Sequence, residues 1–225
     1  DEAISNIYEI ATPSERSRDD NCCMFRLRIG YLIGGITTGL ILLLGFFWSL
    51  PDGKLHIVFC DVGQGDAAYI RFPDGRDMLV DGGPNDLVLS KLGKRMPFWD
   101  RSIDVLMLTH PEADHINGLL EVLKRYDIKM VVETGVENSL PQYKEWRELI
   151  KERGINVVTA QSGQQFFIGR GAQLHILSPF ENYKGKSVAK VNNTSIISRL
   201  VYGTSSLLLT GDAEKLVEHR LLFEA

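Results

Sequence analysis

The chain has 225 residues, of which 44% are hydrophobic and 24% are charged. This composition is that of a globular protein, and it excludes a disordered chain and a polytopic membrane protein. The formal net charge of −4 gives no overall attraction to nucleic acid, although a local basic groove is compatible with it. The cysteines, at positions 22, 23 and 60, form neither a disulfide framework nor a CxxC metal pair. Composition therefore leaves the substrate open.

The first 50 residues divide into a polar arm and an apolar segment. Residues 1–23 are polar and include the charged run SERSRDDN, which predicts a disordered arm. Residues 24–50 are predicted to be a transmembrane anchor, because residues 29–50 contain no charged side chain. As a helix, that uncharged stretch would be about 33 Å long, which is enough to cross the hydrocarbon core of a bilayer.

Two other interpretations of the apolar segment stay open. A buried core helix usually shows a polar stripe, which this run lacks. A cleaved signal peptide usually ends at an A-x-A site, whereas this run ends in FFWSL. Arg26 and Arg28 precede the segment, so the positive-inside rule predicts a cytoplasmic N-terminus and an extracytoplasmic domain after Pro51. Gly35 and Gly39 are spaced as GxxxG, which would let two helices pack as a weak homodimer.

Residues 51–225 are predicted to form one mixed α/β domain, because short apolar runs alternate with turn residues. Three strand-like runs, LHIVFCDV, AAYIRF and DMLVDGG, begin the domain as an antiparallel meander. Strands and helices then alternate through DVLMLTH, INGLLEVLKRY, KMVVETG, PQYKEWRELIKERG and INVVTA. Further hairpin strands are predicted in QQFFIG, AQLHILSP, TSIISRLVYG and SSLLLTGD, and a last helix begins near Ala213. This order predicts mixed sheets covered by helices.

The most specific feature is the segment HPEADH, which begins at His110 where a buried strand gives way to a helix. It offers two histidines and two carboxylates on one loop, so these side chains converge from both sides of the turn. Such spacing is typical of a site for two metal ions. Imidazoles suit zinc and carboxylates suit harder ions such as manganese, so the metal stays open between them. The alternative is a polar loop in which Asp114 caps the following helix, but a cap does not explain the two histidines.

The extended segment HPEADHINGL resembles the second motif of the metallo-β-lactamase superfamily, usually written HxHxDH, in the acidic form found in the C-terminal domain of ComEC-type competence proteins. Three further matches keep the same order. FCDVGQGDAAYI (59–70) resembles the opening strand and turn, MLVDGG (78–83) the first motif, and NNTS (192–195) with TGDAE (210–214) the later motifs. The resemblance covers nearly everything from His56 onward, and it implies an αββα sandwich preceded by a single transmembrane helix.

The resemblance also implies a two-metal site built from these motifs. His110 and Glu112 would be ligands of one ion, Asp114 and His115 would be ligands of the other, and Asp212 would bridge the two. Asp81 and Asp114 would be the residues that support catalysis, Asp81 by accepting a hydrogen bond that orients a ligating imidazole. The cofactors implied are two divalent ions, zinc or manganese.

Several neighbouring residues are interpreted as lying outside the site. Asn193 stands near the place where many superfamily members have the histidine of the third motif, and asparagine is a weak ligand. The turn VGQGD is interpreted as structural, with the Asp66 carboxylate satisfying backbone N–H groups. The histidines at positions 56, 175 and 219 are predicted to be non-ligands. The last family motif, commonly GHHGS, would follow the terminal helix, so we expect the second half of the fold to be incomplete, in a fragment or a degenerate site.

The function implied by the resemblance is metal-assisted hydrolysis at a membrane. The motif variants favour a phosphodiester, including nucleic acid, over a β-lactam amide. Lys184, Lys186 and Lys190 would be able to contact a phosphate, although a solvated loop is the more ordinary interpretation. The alternative is a catalytically degenerate domain of the same fold, tethered to the membrane and binding a partner without turnover. A subunit of a DNA-uptake channel is a third interpretation, which the single apolar segment disfavours.

Overall fold

The computed structural model describes residues 13–224, and the chain separates into two compact units, residues 1–50 and 51–225. The described part of the first unit is one helix, α1 (Pro13–Ser49). Residues 13–23, predicted as part of a disordered arm, are therefore helical, and the rest of that arm lies outside the described residues. From Arg28 to Phe47 the helix has a mean hydropathy of 2.0 over 20 residues, so its length and composition suffice to cross a membrane.

The larger unit is built on two β-sheets, of which the first has six strands in the order β1-β2-β3-β4-β5-β6. These strands are β1 (His56–Phe59), β2 (Ala68–Arg71), β3 (Asp77–Val80), β4 (Ser102–Leu108), β5 (Asp127–Glu133) and β6 (Asn156–Thr159). The first three strands pair antiparallel, and β3 to β6 pair parallel. Parallel neighbours need crossover connections, and here these contain α2 (Leu87–Gly93), α3 (Ala113–Arg125) and α4 (Pro141–Glu152).

The second sheet has four antiparallel strands in the order β10-β9-β8-β7. They are β7 (Gln165–Ile168), β8 (Ala172–Ser178), β9 (Ile197–Tyr202) and β10 (Ser205–Leu209). A 3-10 helix (Val191–Thr194) precedes β9, and helix α5 (Lys215–Glu224) follows β10 and contacts β8. The predicted antiparallel meander, the alternating strands and helices and the closing hairpins are all present.

Two apolar clusters hold the layers of this unit together. One lies between the first sheet and helices α2–α4 and contains Leu106, Leu119 and Trp146. The other lies between the two sheets and contains Met107 and Leu174. Leu106 and Met107 are neighbours on β4 and enter opposite clusters, because successive side chains of a strand point to opposite faces. The mixed α/β sandwich predicted from the sequence is therefore confirmed.

A buried carboxylate in the first sheet gives a prediction about stability and pH. Asp77 is buried, and its Oδ1 accepts a hydrogen bond of 2.6 Å from the Tyr69 hydroxyl. Burial raises the pKa of Asp77 to about 6, although the Tyr69 hydrogen bond and the Arg71 charge oppose the rise. Because the folded pKa exceeds the unfolded value, the folded state binds more protons, and stability is lost as pH rises through about 6.

Replacing Asp77 with asparagine removes the buried charge and keeps an oxygen that accepts from Tyr69. We expect the free energy of unfolding at pH 7 to increase by about 1–3 kcal/mol, with the gain disappearing below the unfolded pKa of the aspartate. Denaturant unfolding of the full chain in detergent, at pH 7 and at a pH below the unfolded pKa of the aspartate, measures the difference. The exposed Asp61→Asn variant is the control and should leave stability unchanged. A gain that is the same at both pH values would contradict the explanation.

Candidate metal centre

The residues predicted for the site lie on three connections that the fold brings together. Asp81 directly follows β3, and the HPEADH segment, which starts at His110, follows β4 and leads into α3. Strands β3 and β4 are parallel neighbours, so the connections that leave their carboxyl ends lie side by side. Asp212 lies between β10 of the second sheet and α5. The connections at the carboxyl ends of β3 and β4 therefore meet a connection of the second sheet at the predicted site.

Asp81 is fully buried and accepts hydrogen bonds from two residues of the neighbouring connection. Its Oδ1 accepts from the backbone N–H of Thr109 at 2.9 Å. Its Oδ2 accepts from the Thr109 hydroxyl at 2.7 Å and from Nδ1 of His115 at 2.9 Å. Asp81 has a φ of 54°, a left-handed conformation that aspartate tolerates better than most residues. Since an ionised carboxylate only accepts hydrogen bonds, the proton positions on both partners are fixed.

The same reasoning fixes the orientation of His110. The Thr109 hydroxyl uses its proton on Asp81, so its oxygen accepts the hydrogen of His110 Nδ1 across 3.0 Å. Asp81 thus holds His115 directly and His110 through Thr109, and both imidazoles present Nε2 on the opposite side. Both Nε2 atoms are buried and lack a hydrogen-bond partner among the described residues. A buried polar atom without a partner costs about 1–3 kcal/mol, so this pair requires an explanation.

Carboxylates surround the two unpartnered nitrogens at distances longer than a hydrogen bond. Nε2 of His115 lies 3.5 Å from Oδ1 of Asp212 and 4.0 Å from Oδ1 of Asp114. Nε2 of His110 lies 3.8 Å from Oε2 of Glu112. Ligand atoms of His110, His115 and Asp212 all lie within 4.8 Å of one another. The structure therefore brings together every residue that the sequence assigned to the metal site.

Asp114 does not cap the helix that follows it. The N-cap of α3 is Glu112, whose side chain makes no capping hydrogen bond, and Asp114 lies within the first turn. The Asp114 carboxylate instead accepts a hydrogen bond of 3.2 Å from Nε2 of Gln64, which comes from the β1–β2 turn. The capping interpretation therefore gives no account of this side chain.

The electrostatic field at this site favours positive charge. Burial lowers the pKa of His115, but the hydrogen bond to Asp81 and the negative charges of Asp81, Asp212 and Asp114 outweigh burial and raise this pKa to about 9. Burial raises the pKa of Glu112, and the Asp114 and Asp212 carboxylates raise it further. Two inward-facing imidazole nitrogens among several carboxylates match the donor set that divalent transition metals take in proteins. The residues present therefore fit divalent ions.

Other residues singled out in the sequence have partners of a different kind. Nδ2 of Asn193 donates a hydrogen bond of 3.0 Å to Oε2 of Glu214, and the Lys190 ammonium donates to the same oxygen at 3.2 Å. His56 pairs with exposed Asp52, and His175 with Gln173 on its own strand. Neither His56 nor His175 belongs to a cluster of ligand atoms found within residues 13–224.

Asp66 makes contacts that differ from those predicted from the sequence. Its carboxylate was expected to bind backbone N–H groups, but the described part of the chain provides no such bond. Backbone pairs satisfy the turn instead, including Gly83 N–H to the Asp66 carbonyl oxygen at 2.9 Å. Ligand atoms of Asp66, Asp81 and His115 lie within 4.8 Å of one another. Burial raises the pKa of Asp66, as does the charge of Asp81. The predicted β2–β3 hairpin was the available signal that Asp66 lies near Asp81, because the hairpin pairs the start of β2 with the end of β3.

The site depends on a close approach between α3 and the connection after β3. A Cβ atom on Gly118 would lie 1.8 Å from the Gly82 carbonyl oxygen, so Gly118→Ala forces backbone to move. We expect this variant to lose about 1–3 kcal/mol of stability in denaturant unfolding. Gly93 also lies in a helix, but its Cβ would meet nothing within 4 Å. Gly93→Ala should therefore gain up to about 1 kcal/mol, and equal losses in both variants would contradict the close-approach explanation.

A mixed α/β sandwich that carries histidines and carboxylates on the connections at one edge of its sheets has the arrangement of a metal-binding domain. Residues 76–222 match the family model described as "Beta-lactamase superfamily domain". The match spans more than half of the chain, and the chain belongs to this family. The resemblance seen in the sequence motifs is therefore confirmed.

The chain is also similar to individual proteins. Over 206 residues it is 28% identical to "ComE operon protein 3" of Bacillus subtilis, covering 84% of this chain and 26% of that protein, so it spans about a quarter of that relative's length. The metallo-beta-lactamase fold protein YhfI from Bacillus subtilis has 17% identity and a TM-score of 0.48, covering 70% of this chain and 61% of YhfI. CmlA, a diiron beta-hydroxylase from Streptomyces venezuelae, has 20% identity and a TM-score of 0.45, covering 71% of this chain and 30% of CmlA.

Proposed function

We propose that this protein is a membrane-anchored, metal-dependent hydrolase that acts on phosphodiester bonds. The observation that carries the proposal is the pair of buried Nε2 atoms of His110 and His115, which have no hydrogen-bond partner in the described residues and face carboxylates. A buried imidazole nitrogen that accepts no hydrogen bond can use its lone pair to bind a metal ion instead. Family membership and the donor set both point to hydrolytic chemistry.

Two divalent ions, zinc or manganese, would occupy this centre. His110 and Glu112 would hold one ion, Asp114 and His115 would hold the other, and Asp212 would lie between them. When bound, such ions lower the pKa of a water molecule and stabilise the negative charge that develops on the substrate.

The protein's own groups prepare this centre before any substrate arrives. Asp81 fixes the ring of His115 directly and that of His110 through Thr109, so neither imidazole has to reorient. Gln64 donates a hydrogen bond to Oδ2 of the Asp114 carboxylate and so restrains this side chain as well. Pre-oriented groups of this kind stabilise charge in the transition state without a cost of reorganisation at the moment of reaction.

A phosphodiester, as in nucleic acid, is the substrate class that we favour over a β-lactam. This choice is supported by the similarity to ComE operon protein 3 along 84% of the chain and by the acidic form of the HPEADH motif. Of the three lysines that would be able to contact a phosphate, Lys190 is paired with Glu214, which leaves Lys184 and Lys186 as the better candidates. Their replacement should weaken binding of a polyanionic substrate in a salt-dependent manner.

The anchor in this proposal is the apolar part of α1. Its side chains, such as Leu32, Ile36 and Leu43, are exposed, and this is the surface that a bilayer would cover. The basic residues Arg26 and Arg28 support an orientation in which the N-terminus is cytoplasmic and the hydrolase unit is extracytoplasmic. Gly35 and Gly39 would support a weak homodimer within the membrane. Alkaline phosphatase fused after Leu50 should be active. An inactive phosphatase fusion, together with a fluorescent green-fluorescent-protein fusion at the same point, would contradict this orientation.

The proposal is tested on the full chain purified in detergent. Metal analysis should find a stoichiometric divalent ion, and the protein should hydrolyse bis-p-nitrophenyl phosphate in preference to a chromogenic cephalosporin. Chelation should remove activity, and zinc or manganese should restore it. Stoichiometric metal without hydrolysis would favour the degenerate binding domain, for which Asn193 at the third-motif position is the supporting observation. Absence of bound metal would overturn the proposal.

A further inference from the structure

The chain enters the second unit at the edge of the first sheet that lies opposite the metal centre. Strands β1, β3, β4, β5 and β6 all run in the same direction, so they begin at one edge, which we call the amino edge. Pro51 contacts this edge, because a Cβ atom on Gly75, two residues before β3, would lie 2.7 Å from Cγ of Pro51. Residues 50–55 alone connect α1 to β1, and they span at most about 25 Å.

An exposed aromatic pair lies at the amino edge, in the turn that leads into β4. The backbone N–H of Asp100 donates a hydrogen bond of 2.9 Å to the Pro97 carbonyl oxygen, which closes a turn around Phe98 and Trp99. The two rings meet edge to face with centroids 4.7 Å apart, and they are 73% and 45% exposed. The N–H of Ser102, the first residue of β4, donates to Oδ1 of Asp100 at 3.1 Å and ties the turn to the strand. Large apolar rings held together in solvent indicate a surface for interaction.

Basic side chains accompany the aromatic rings at the amino edge. Lys94 and Arg95 directly precede the turn, are exposed and form no ion pair within residues 13–224. A further aromatic ring, Phe167 of β7, is 70% exposed and lines a cavity with Arg76, just before β3, and Lys129, near the start of β5. Tryptophan and phenylalanine beside lysine and arginine are typical of protein surfaces that bind the interface of an anionic bilayer.

We propose that the amino edge docks on the bilayer that holds the anchor, with Phe98 and Trp99 in the interface and Lys94 and Arg95 on anionic lipid headgroups. The proposal rests on the membrane anchor of the proposed function. A bilayer is the occupant because the short connection after α1 keeps the amino edge within about 25 Å of it, and because the unpaired cations complement anionic lipid.

Docking in this way determines what the metal centre faces. Strand β4 has seven residues and runs from the amino edge to the HPEADH segment, so the centre lies roughly 20 Å from the docked surface. It is then open to a soluble phosphodiester rather than to the lipid beneath the protein.

The test is tryptophan fluorescence of the full chain in nanodiscs made with brominated lipid, which quenches rings that enter the bilayer. A Trp48→Phe background removes the tryptophan of the anchor segment and leaves two others. Trp146 is fully buried and donates to Glu133, so lipid does not reach it. Trp99→Phe in this background gives the signal of Trp146 alone. Emission is compared with unbrominated lipid, with and without phosphatidylglycerol.

We expect brominated lipid to quench Trp99, and to quench it more when phosphatidylglycerol is present. Lys94→Gln/Arg95→Gln should weaken docking roughly 25-fold, since each basic side chain near an anionic surface contributes a factor of about five. Lys184→Gln/Lys186→Gln is the matched control, because it removes the same charge beyond the far end of β5, where the Lys186 carbonyl oxygen accepts from the N–H of Glu137 at 2.9 Å. The control should leave the quenching unchanged.

Unquenched Trp99 in an incorporated chain that still hydrolyses bis-p-nitrophenyl phosphate overturns the docking and leaves the proposed function intact. Equal effects of the two double variants overturn the role of Lys94 and Arg95. A Trp99 signal that depends on protein concentration and not on lipid identifies a second copy as the occupant, which also overturns the proposal. If the chain does not incorporate into nanodiscs, the membrane anchor of the proposed function fails as well.

Discussion

Replacing His115 with alanine is expected to eliminate one bound divalent ion and to reduce phosphodiester hydrolysis more than about 100-fold. Losing a residue that only orients a metal ligand typically costs about 10–100-fold, and the loss of a ligand should exceed this. His115 belongs to both clusters of ligand atoms, with His110 and Asp212 and with Asp66 and Asp81. Metal analysis of the purified variant, together with its rate on bis-p-nitrophenyl phosphate, measures the effect.

The fold should tolerate this change, since Asp81 keeps its hydrogen bonds from the backbone and hydroxyl of Thr109. Circular dichroism of the metal-free variant checks that point. His175→Ala is the matched control, because His175 lies on β8 and its ring contacts Gln173. The prediction is wrong if the His115 variant binds the wild-type amount of metal, or if the control loses activity to the same extent.

The order of strands and helices was predictable because each element carries its own periodic pattern. Leu119, Leu120 and Leu123 have the spacing of one helical face, and all three are buried in α3. Helix α2 was not predicted. It spans only Leu87–Gly93, its N-cap Asp86 makes no side-chain hydrogen bond, and its buried positions are Val88 and Leu92. A helix of two turns without a capping signal gives too little pattern to separate it from a loop.

The metal site was predictable to the extent that its residues are close in sequence. The loop from His110 to His115 concentrates histidines and acids, so spacing alone marks it. Asp66 requires knowledge of register, because only the pairing of Ala68 with Val80 brings the turn before β2 beside Asp81. A single apolar strand pattern does not contain that pairing, which is fixed by contacts between strands.

Thr109 is the other residue whose importance only the folded structure makes visible. Its hydroxyl donates to Asp81 and accepts from Nδ1 of His110, whereas its backbone N–H holds the other oxygen of Asp81. Thr109→Val keeps the shape of the side chain and the backbone bond but removes the bridge to His110. We expect the ion held by His110 to bind about 10–100-fold more weakly, as measured by metal titration of the full chain.

The ion at the other histidine should be affected much less, because Asp81 contacts Nδ1 of His115 without using the Thr109 hydroxyl. This difference separates positioning from general destabilisation, which would weaken both ions together. Thr109→Ser restores the hydroxyl and should recover most of the lost affinity, even though the missing methyl group lowers stability. If the serine variant binds metal as poorly as the valine variant, the hydroxyl bridge does not orient His110, and packing of the threonine methyl group accounts for the loss.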